Sequence, residues 1–92
     1  MELSWMSIVE LYTTPFCGYC VAAKRLLLNK SVAFLEIDLS VEPNRRSEML
    51  LRAYGNHKVP QIFINNQHVG GSDELHALDK SGELAVMLKS KK

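Results

Sequence analysis

Two cysteines separated by two residues, Cys17 and Cys20, constrain this chain more than any other feature. An apolar run with β-branched residues over positions 8–12 precedes them, and a run free of Gly and Pro over positions 21–30 follows. This order predicts a strand, a loop that delivers Cys17 and a helix that begins at the pair. At a helix N-terminus the unpaired N–H groups and the helix dipole favour negative charge, so we expect the Cys17 thiol to ionise more readily than a free thiol.

Four interpretations of the pair are open at this point. A redox-active dithiol is favoured by its place between a strand and a helix. Half of a zinc site is the second, with His57, His68 and His76 as further ligands, although these three lack the spacing typical of zinc-binding histidines. A structural disulfide is the third, but so short a loop would constrain the unfolded chain by only about 2 kcal/mol. Incidental core cysteines are the fourth.

The length, the net charge and the apolar pattern of the chain argue against several classes of protein. The 92 residues make one domain, in which we assign positions 1–7 to an N-terminal extension and 89–92 to a solvated basic tail. The net charge of +1 gives no long-range field for nucleic acid, so no nucleic-acid partner is expected. No stretch reaches the roughly 20 apolar residues that span a bilayer, and the start does not resemble a secretory signal. We therefore expect no membrane partner, a cytoplasmic location and a monomer.

The rest of the chain alternates between strand and helix patterns. Asn65-Asn66 is a two-residue turn whose side chains tolerate positive φ, which predicts a hairpin. Before this hairpin the patterns give a strand, a helix and a second strand. That order predicts a right-handed β-α-β unit whose two strands are parallel. The fold expected is α/β in the order β-α-β-α-β-β-α-α, with one four-stranded mixed sheet and helices on both faces. The predicted strands are 8–12, 32–39, 61–64 and 67–70, and the predicted helices are 21–30, 44–54, 72–80 and 83–89.

Three motifs in this order resemble one known family. They are Cys17-Gly18-Tyr19-Cys20 after the first strand, Val59-Pro60-Gln61-Ile62-Phe63-Ile64 at the hairpin, and Gly70-Gly71-Ser72-Asp73 after it. Together they resemble a glutaredoxin of the small dithiol type, over nearly the whole chain. The resemblance implies a thioredoxin fold and a glutathione-dependent thiol–disulfide oxidoreductase, with glutathione as reductant and glutathionylated or disulfide-containing proteins as partners.

The resemblance also implies a role for each cysteine. Cys17 would be the exposed nucleophile that attacks a mixed disulfide and takes over one of its sulfurs. Cys20, about one turn into the helix, would be the more buried resolving thiol.

A glutathione site is implied around them. The backbone of Val59 would pair with the cysteinyl part, and Pro60 would be a cis-proline facing the nucleophile. Tyr19 would pack against glutathione as a groove wall. Gly71-Ser72-Asp73 would receive the γ-glutamyl end, with N–H groups for its carboxylate and an acidic side chain for its ammonium. A plain helix cap is the alternative for Ser72 and Asp73, and the two roles are compatible.

Four positions depart from the common pattern of the family. Thr14, which is counted with the glutathione-binding residues, stands where a Lys is frequent, and Asn56 stands where an Arg or Lys is often seen. Lys58 replaces a Thr, so we expect Lys58 to supply the cation for the glycyl carboxylate. A solvated loop lysine is the alternative. Gly18 stands where Pro is frequent between the cysteines, a feature also found in members that resemble iron–sulfur carriers. The alternative function is therefore a homodimer in which Cys17 and glutathione ligate a 2Fe-2S cluster.

Overall fold

The computed structural model describes residues 7–89, and its centre is a four-stranded sheet in the order β2-β1-β3-β4. The strands are β1 (Val9–Thr13), β2 (Leu35–Asp38), β3 (Gln61–Ile64) and β4 (Gln67–Gly70). Strand β1 pairs in parallel with β2 and antiparallel with β3, and β3 pairs antiparallel with β4. The predicted mixed sheet is therefore confirmed.

Helices cover both faces of this sheet, as expected for the thioredoxin fold. They are α1 (Gly18–Asn29), α2 (Arg46–Arg52), α3 (Ser72–Ser81) and α4 (Glu83–Lys89). Alternation along the central strands sends Leu11 and Ile62 into a core with α1, α3 and α4. Tyr12 and Phe63 point to the opposite face and pack with residues of α2. Both central strands are buried on their two faces, which explains their nearly continuous apolar pattern.

Several boundaries differ from the predicted ones, each for a local reason. Helix α1 begins at Gly18, at the cysteine pair as predicted but before the periodic run 21–30, because the Cys17 side chain caps it by accepting the Cys20 N–H. Strand β2 begins later than predicted, since the Val32 N–H is still bonded to the Leu27 carbonyl at the end of α1. The helix predicted over 44–54 is a 3₁₀ turn, Pro43–Arg45, followed by the shorter α2.

The hairpin and the last helix match their predicted bounds. Asn65 and Asn66 have φ of 52° and 68°, the left-handed values that a tight two-residue turn requires. The Asn65 side chain also accepts the Ile8 N–H, so the turn is tied to the start of β1. The two strands of this hairpin lead directly into α3 and thereby fix where that helix begins.

The predicted extension and tail fall largely outside the described residues. Only Ser7 of the extension and Lys89 of the tail are described. Across residues 7–89, no helix has the length and apolarity needed to cross a bilayer.

A polar network on the α2 face joins that helix to the sheet. Arg52 pairs with Glu10 at 2.7 Å and donates to the Tyr12 hydroxyl at 2.9 Å. Its guanidinium lies over the Phe63 ring, 4.0 Å from the centroid. The Tyr12 hydroxyl in turn donates to Glu48 of α2. The charged groups of this network are partly exposed, and each is paired, which is the condition for a charge to be tolerated beside a core.

Candidate active site

Cys17 is held at the N-terminal end of α1. Its backbone is extended, and its Sγ accepts the N–H of Cys20 at 3.2 Å, as a capping side chain does. The side chain is partly exposed, and its Sγ lies 3.9 Å from the carbonyl oxygen of Val59. The thiol is therefore accessible, and a hydrogen bond to its sulfur is already in place to stabilise a thiolate.

The loop that delivers Cys17 leaves the central strand β1. Thr13 ends that strand and is buried, whereas Pro15 and Phe16 are exposed. Phe16 has φ of 59°, an uncommon value for a bulky residue, so the chain turns sharply just before the nucleophile candidate. A rigid strand and a capped helix fix the two sides of this turn.

Cys20 differs from Cys17 in its surroundings. It is 1% exposed, in the first turns of α1. Burial, with the hydrogen bond to Cys17 as the second cause, raises the pKa of the Cys20 thiol to about 12. Near neutral pH Cys20 is therefore a protonated thiol, and the pair is chemically asymmetric.

A groove of about 340 Å³ opens beside the pair. One wall is the loop before β3, where the Val59–Pro60 peptide bond is cis. The facing wall is the start of α3, and Tyr19 of α1 closes one side. The lining residues are Tyr19, Asn56, Lys58, Val59, Pro60, Gln61, Gly71, Ser72, Asp73 and Glu74.

The α3 wall presents backbone N–H groups and carboxylates. Gly70 has φ of 116°, and a Cβ there would meet the Glu74 side chain at 3.0 Å, so the position requires glycine. The Glu74 carboxylate accepts the Gly71 N–H at 2.8 Å and thereby occupies one donor of the helix start. Ser72 is buried and Asp73 is exposed. The loop wall carries the opposite charge in Lys58, whose N–H is held by the Asn56 side chain at 3.0 Å.

Most predicted site residues meet at this groove. Tyr19, Lys58, Val59, Pro60 and the stretch 71–73 line it. The two cysteines lie beside the groove rather than in its lining, and Thr14 does not line it either. That residue is half-buried between β1 and the cysteines, and its backbone hydrogen bond to the Cys20 thiol lowers the pKa of Cys20 against the effect of burial.

Three groove residues were missed from the sequence: Asn56, Gln61 and Glu74. Gln61 is the most informative because it is polar yet only 1% exposed. Its amide donates to the Lys58 carbonyl at 2.9 Å and its oxygen contacts His68 Nε2 at 2.7 Å. A polar residue directly after Val-Pro, at the start of an apolar strand, was the available signal.

The histidines considered as zinc ligands lie in separate places. His57 is in an exposed loop, His68 contacts Gln61, and His76 on α3 contacts the Ser72 carbonyl at 2.8 Å. Among residues 7–89 no three His, Cys, Asp or Glu side chains converge as metal ligands would.

Comparison with known proteins gives consistent matches. The family model "Glutaredoxin" matches residues 9–69. Glutaredoxin 3 of Escherichia coli K12 is 48% identical over 84 residues, covering 91% of this chain and 100% of that protein. The solution structure of a Brucella melitensis glutaredoxin has a TM-score of 0.78 at 48% identity, covering 92% of this chain and 91% of that one. A crystal structure of a buckwheat glutaredoxin–glutathione complex has a TM-score of 0.79 at 28% identity, covering 87% and 74%.

Proposed function

Because the chain belongs to the glutaredoxin family and is in general terms a thiol–disulfide oxidoreductase, we propose that it uses glutathione to reduce protein–glutathione mixed disulfides and protein disulfides. The observation that carries the proposal is the position of Cys17. Its partly exposed Sγ accepts the Cys20 N–H and lies beside Val59. It is thus at the edge of a groove that has a cation on one wall and carboxylates on the other. Glutathione is an extended peptide with charges at both ends, so it matches this groove in shape and charge.

The first step is an attack by the Cys17 thiolate on the glutathione sulfur of a protein–glutathione disulfide. The Cys17–glutathione disulfide forms, and the protein leaves as a thiolate that takes a proton. The N–H of Cys20 stabilises the negative sulfur before the attack.

Two routes restore the enzyme. In the monothiol route a glutathione thiolate attacks the bound glutathione sulfur, which releases oxidised glutathione and the Cys17 thiolate. In the dithiol route Cys20 loses its proton and attacks the Cys17 sulfur, which releases glutathione and closes the Cys17–Cys20 disulfide. Two further glutathione molecules then reduce that disulfide. The high pKa of Cys20 favours the monothiol route near neutral pH.

The groove residues receive glutathione in a defined direction. The Val59 backbone pairs with its cysteinyl part, next to cis-Pro60. Ser72 and Asp73 at the start of α3 bind the γ-glutamyl end through N–H groups and a carboxylate. Tyr19, which is 65% exposed, packs along the peptide. Gly71 has no side chain that would obstruct the peptide. Thr14 contributes indirectly, through its backbone hydrogen bond to the Cys20 thiol.

A coupled assay with glutathione, its reductase and a glutathionylated peptide tests the proposal. Wild type is expected to turn over, Cys17→Ser to be inactive, and Cys20→Ser to keep most of the activity. Loss of activity in Cys20→Ser as complete as in Cys17→Ser would make the dithiol route obligatory. An inactive wild type would contradict the proposal.

Lys58 is proposed as the partner of the glycyl carboxylate. The Lys58→Ala variant is expected to raise the KM for the glutathionylated peptide about three- to tenfold, as the loss of an exposed charge-assisted contact does. Lys58→Arg is expected to stay near wild type. Lys80→Ala is the matched control, since Lys80 is exposed on α3 and does not line the groove. An unchanged KM in Lys58→Ala would leave Lys58 as a solvated loop residue.

The iron–sulfur alternative stays a prediction with a separate readout. The cysteine thiolate that it requires is Cys17, whose side chain is partly exposed. Anaerobic purification with glutathione is expected to give a colourless monomer under the main proposal. A brown dimer with visible absorption would favour the cluster function. The cytoplasmic location likewise stays a prediction.

A further inference from the structure

A hydrogen-bonded chain runs from strand β4 to the loop that carries Val59. His68 of β4 contacts the Gln61 side-chain oxygen through Nε2 at 2.7 Å, and the Gln61 amide nitrogen donates to the Lys58 carbonyl at 2.9 Å. The geometry points to His68 and Gln61 as positioning residues that orient the Lys58–Val59 peptide for substrate binding. This inference rests on the proposed function, because the substrate in question is a glutathione mixed disulfide.

The orientation of the Gln61 amide is determined by chemistry. The Lys58 carbonyl oxygen can only accept a hydrogen bond, so it must face the Gln61 nitrogen. The Gln61 oxygen then faces His68 and accepts from it, which requires a hydrogen on His68 Nε2. Reversal of the amide would set two acceptors against each other inside the protein. Since Gln61 is only 1% exposed, water cannot compensate for that.

Packing holds the histidine ring in place for this contact. The His68 ring lies 5.1 Å from the Phe63 ring and 5.9 Å from the Tyr54 ring, measured between centroids. His68 itself is half-buried. The ring therefore packs against Phe63 and Tyr54, and its Nε2 contacts the Gln61 oxygen.

The consequence for the site follows from the geometry of one peptide unit. The Lys58–Val59 bond is trans, so its carbonyl and its N–H point in opposite directions. With the carbonyl held by the Gln61 amide, the Val59 N–H points away from that amide, and Val59 itself lines the groove. Within residues 7–89 this N–H has no hydrogen-bond partner in the protein. A hydrogen bond accepted by the carbonyl also polarises the N–H and makes it a better donor.

Steady-state kinetics on two variants of His68 test the inference. His68→Phe keeps an aromatic ring between its neighbours but removes the donor, whereas His68→Gln can return a nitrogen donor to the same acceptor. We expect His68→Phe to raise the KM for a glutathionylated peptide about three- to tenfold, the range that one hydrogen bond supplies, with kcat changed less than about twofold. His68→Gln is expected to stay within about twofold of wild type. Gln67→Phe, at the exposed neighbouring position on β4, is the control and is expected to leave KM unchanged.

Three outcomes would overturn the inference. They are an unchanged KM in His68→Phe, an equal rise in both His68 variants, and an equal rise in the Gln67 control. An inactive wild type would instead contradict the proposed function, so the two failures are distinct.

A measurement on wild type covers the case in which His68→Phe fails to fold. Nitrogen NMR is expected to find the hydrogen of the neutral His68 ring on Nε2. Addition of S-methylglutathione, which cannot react with Cys17, is expected to shift the Val59 amide signal. A neutral ring protonated only at Nδ1, or a Val59 signal that the ligand leaves unmoved, would contradict the inference.

Discussion

The raised pKa of Cys20 predicts how fast the intramolecular disulfide closes at different pH. Cys20 can attack the Cys17–glutathione disulfide only as the thiolate. With a pKa of about 12, the thiolate fraction rises tenfold for each pH unit up to about pH 11. A thiol with the ordinary value of about 8.5 would instead gain only about fourfold between pH 8 and pH 10, because it is then nearly all ionised. The structure therefore predicts a rise of about a hundredfold over that interval.

A pH-jump experiment measures this directly. Wild type is converted to the Cys17–glutathione disulfide at about pH 5, where closure is slow, and is then mixed into buffers from pH 7 to pH 10. Samples are quenched with acid, and the loss of the glutathione adduct is followed by mass spectrometry. Cys20→Ser is the control and should keep its adduct at every pH, while circular dichroism checks that the fold persists at pH 10.

The expected rise in the closure rate depends more on the burial of Cys20 than on its contact with Cys17. Burial is the largest cause of the raised pKa of Cys20, and the side chain is 1% exposed. Modification of Cys17 removes the hydrogen bond to it, which is the second cause, but leaves most of the burial in place. A closure rate that levels off before pH 10 would refute this reasoning, because Cys20 would then ionise as an exposed thiol does.

Two further predictions concern the fold and use urea unfolding as the assay. Gly82→Ala should lower the free energy of unfolding by about 1 kcal/mol, because Gly82 ends α3 with φ of 89°. Gly18→Ala is the control and should change the free energy of unfolding by less than about 0.5 kcal/mol. Equal effects of the two substitutions would argue against a backbone cause. Arg52→Met should lower the free energy of unfolding by about 2–3 kcal/mol, because it leaves Glu10 without its ion-pair partner and removes one of the two hydrogen bonds of the Tyr12 hydroxyl. The more exposed Arg45→Met should lower it by less than about 1 kcal/mol. Similar losses in the two arginine variants would place the Arg52 network among ordinary surface pairs.

The sequence was most reliable where local chemistry alone determines the structure. The Asn65-Asn66 turn fixes the hairpin register through positive φ at both residues. The strands on either side of the turn have the bounds that were predicted for them. Helix α4 also matched, since Gly82 separates it from α3 by a residue that suits a left-handed conformation. These features depend on neighbours within a few positions along the chain.

Prediction failed where specific side-chain contacts decide, even between residues a few positions apart. The helix start at the cysteine pair was expected, but the capping of α1 by the Cys17 side chain was not. Gln61 was assigned to a strand by pattern, but its role came from two partners, one in the preceding loop and one on β4. Thr14 was expected at the groove by position in the motif, and the structure instead has it behind the cysteines, in contact with Cys20.

The sheet order also governs when the site can exist during biosynthesis. The cysteines and Tyr19 belong to the first third of the chain, whereas the loop wall and the α3 wall of the groove extend to Glu74. The antiparallel partner of β1 is β3, with Val9 opposite Ile64. A nascent chain that has left the ribosome only as far as β2 therefore exposes both thiols with neither facing wall of the groove built. Its cysteines meet cellular oxidants and reductants as ordinary thiols, and selectivity arises only when the last third of the chain has been made.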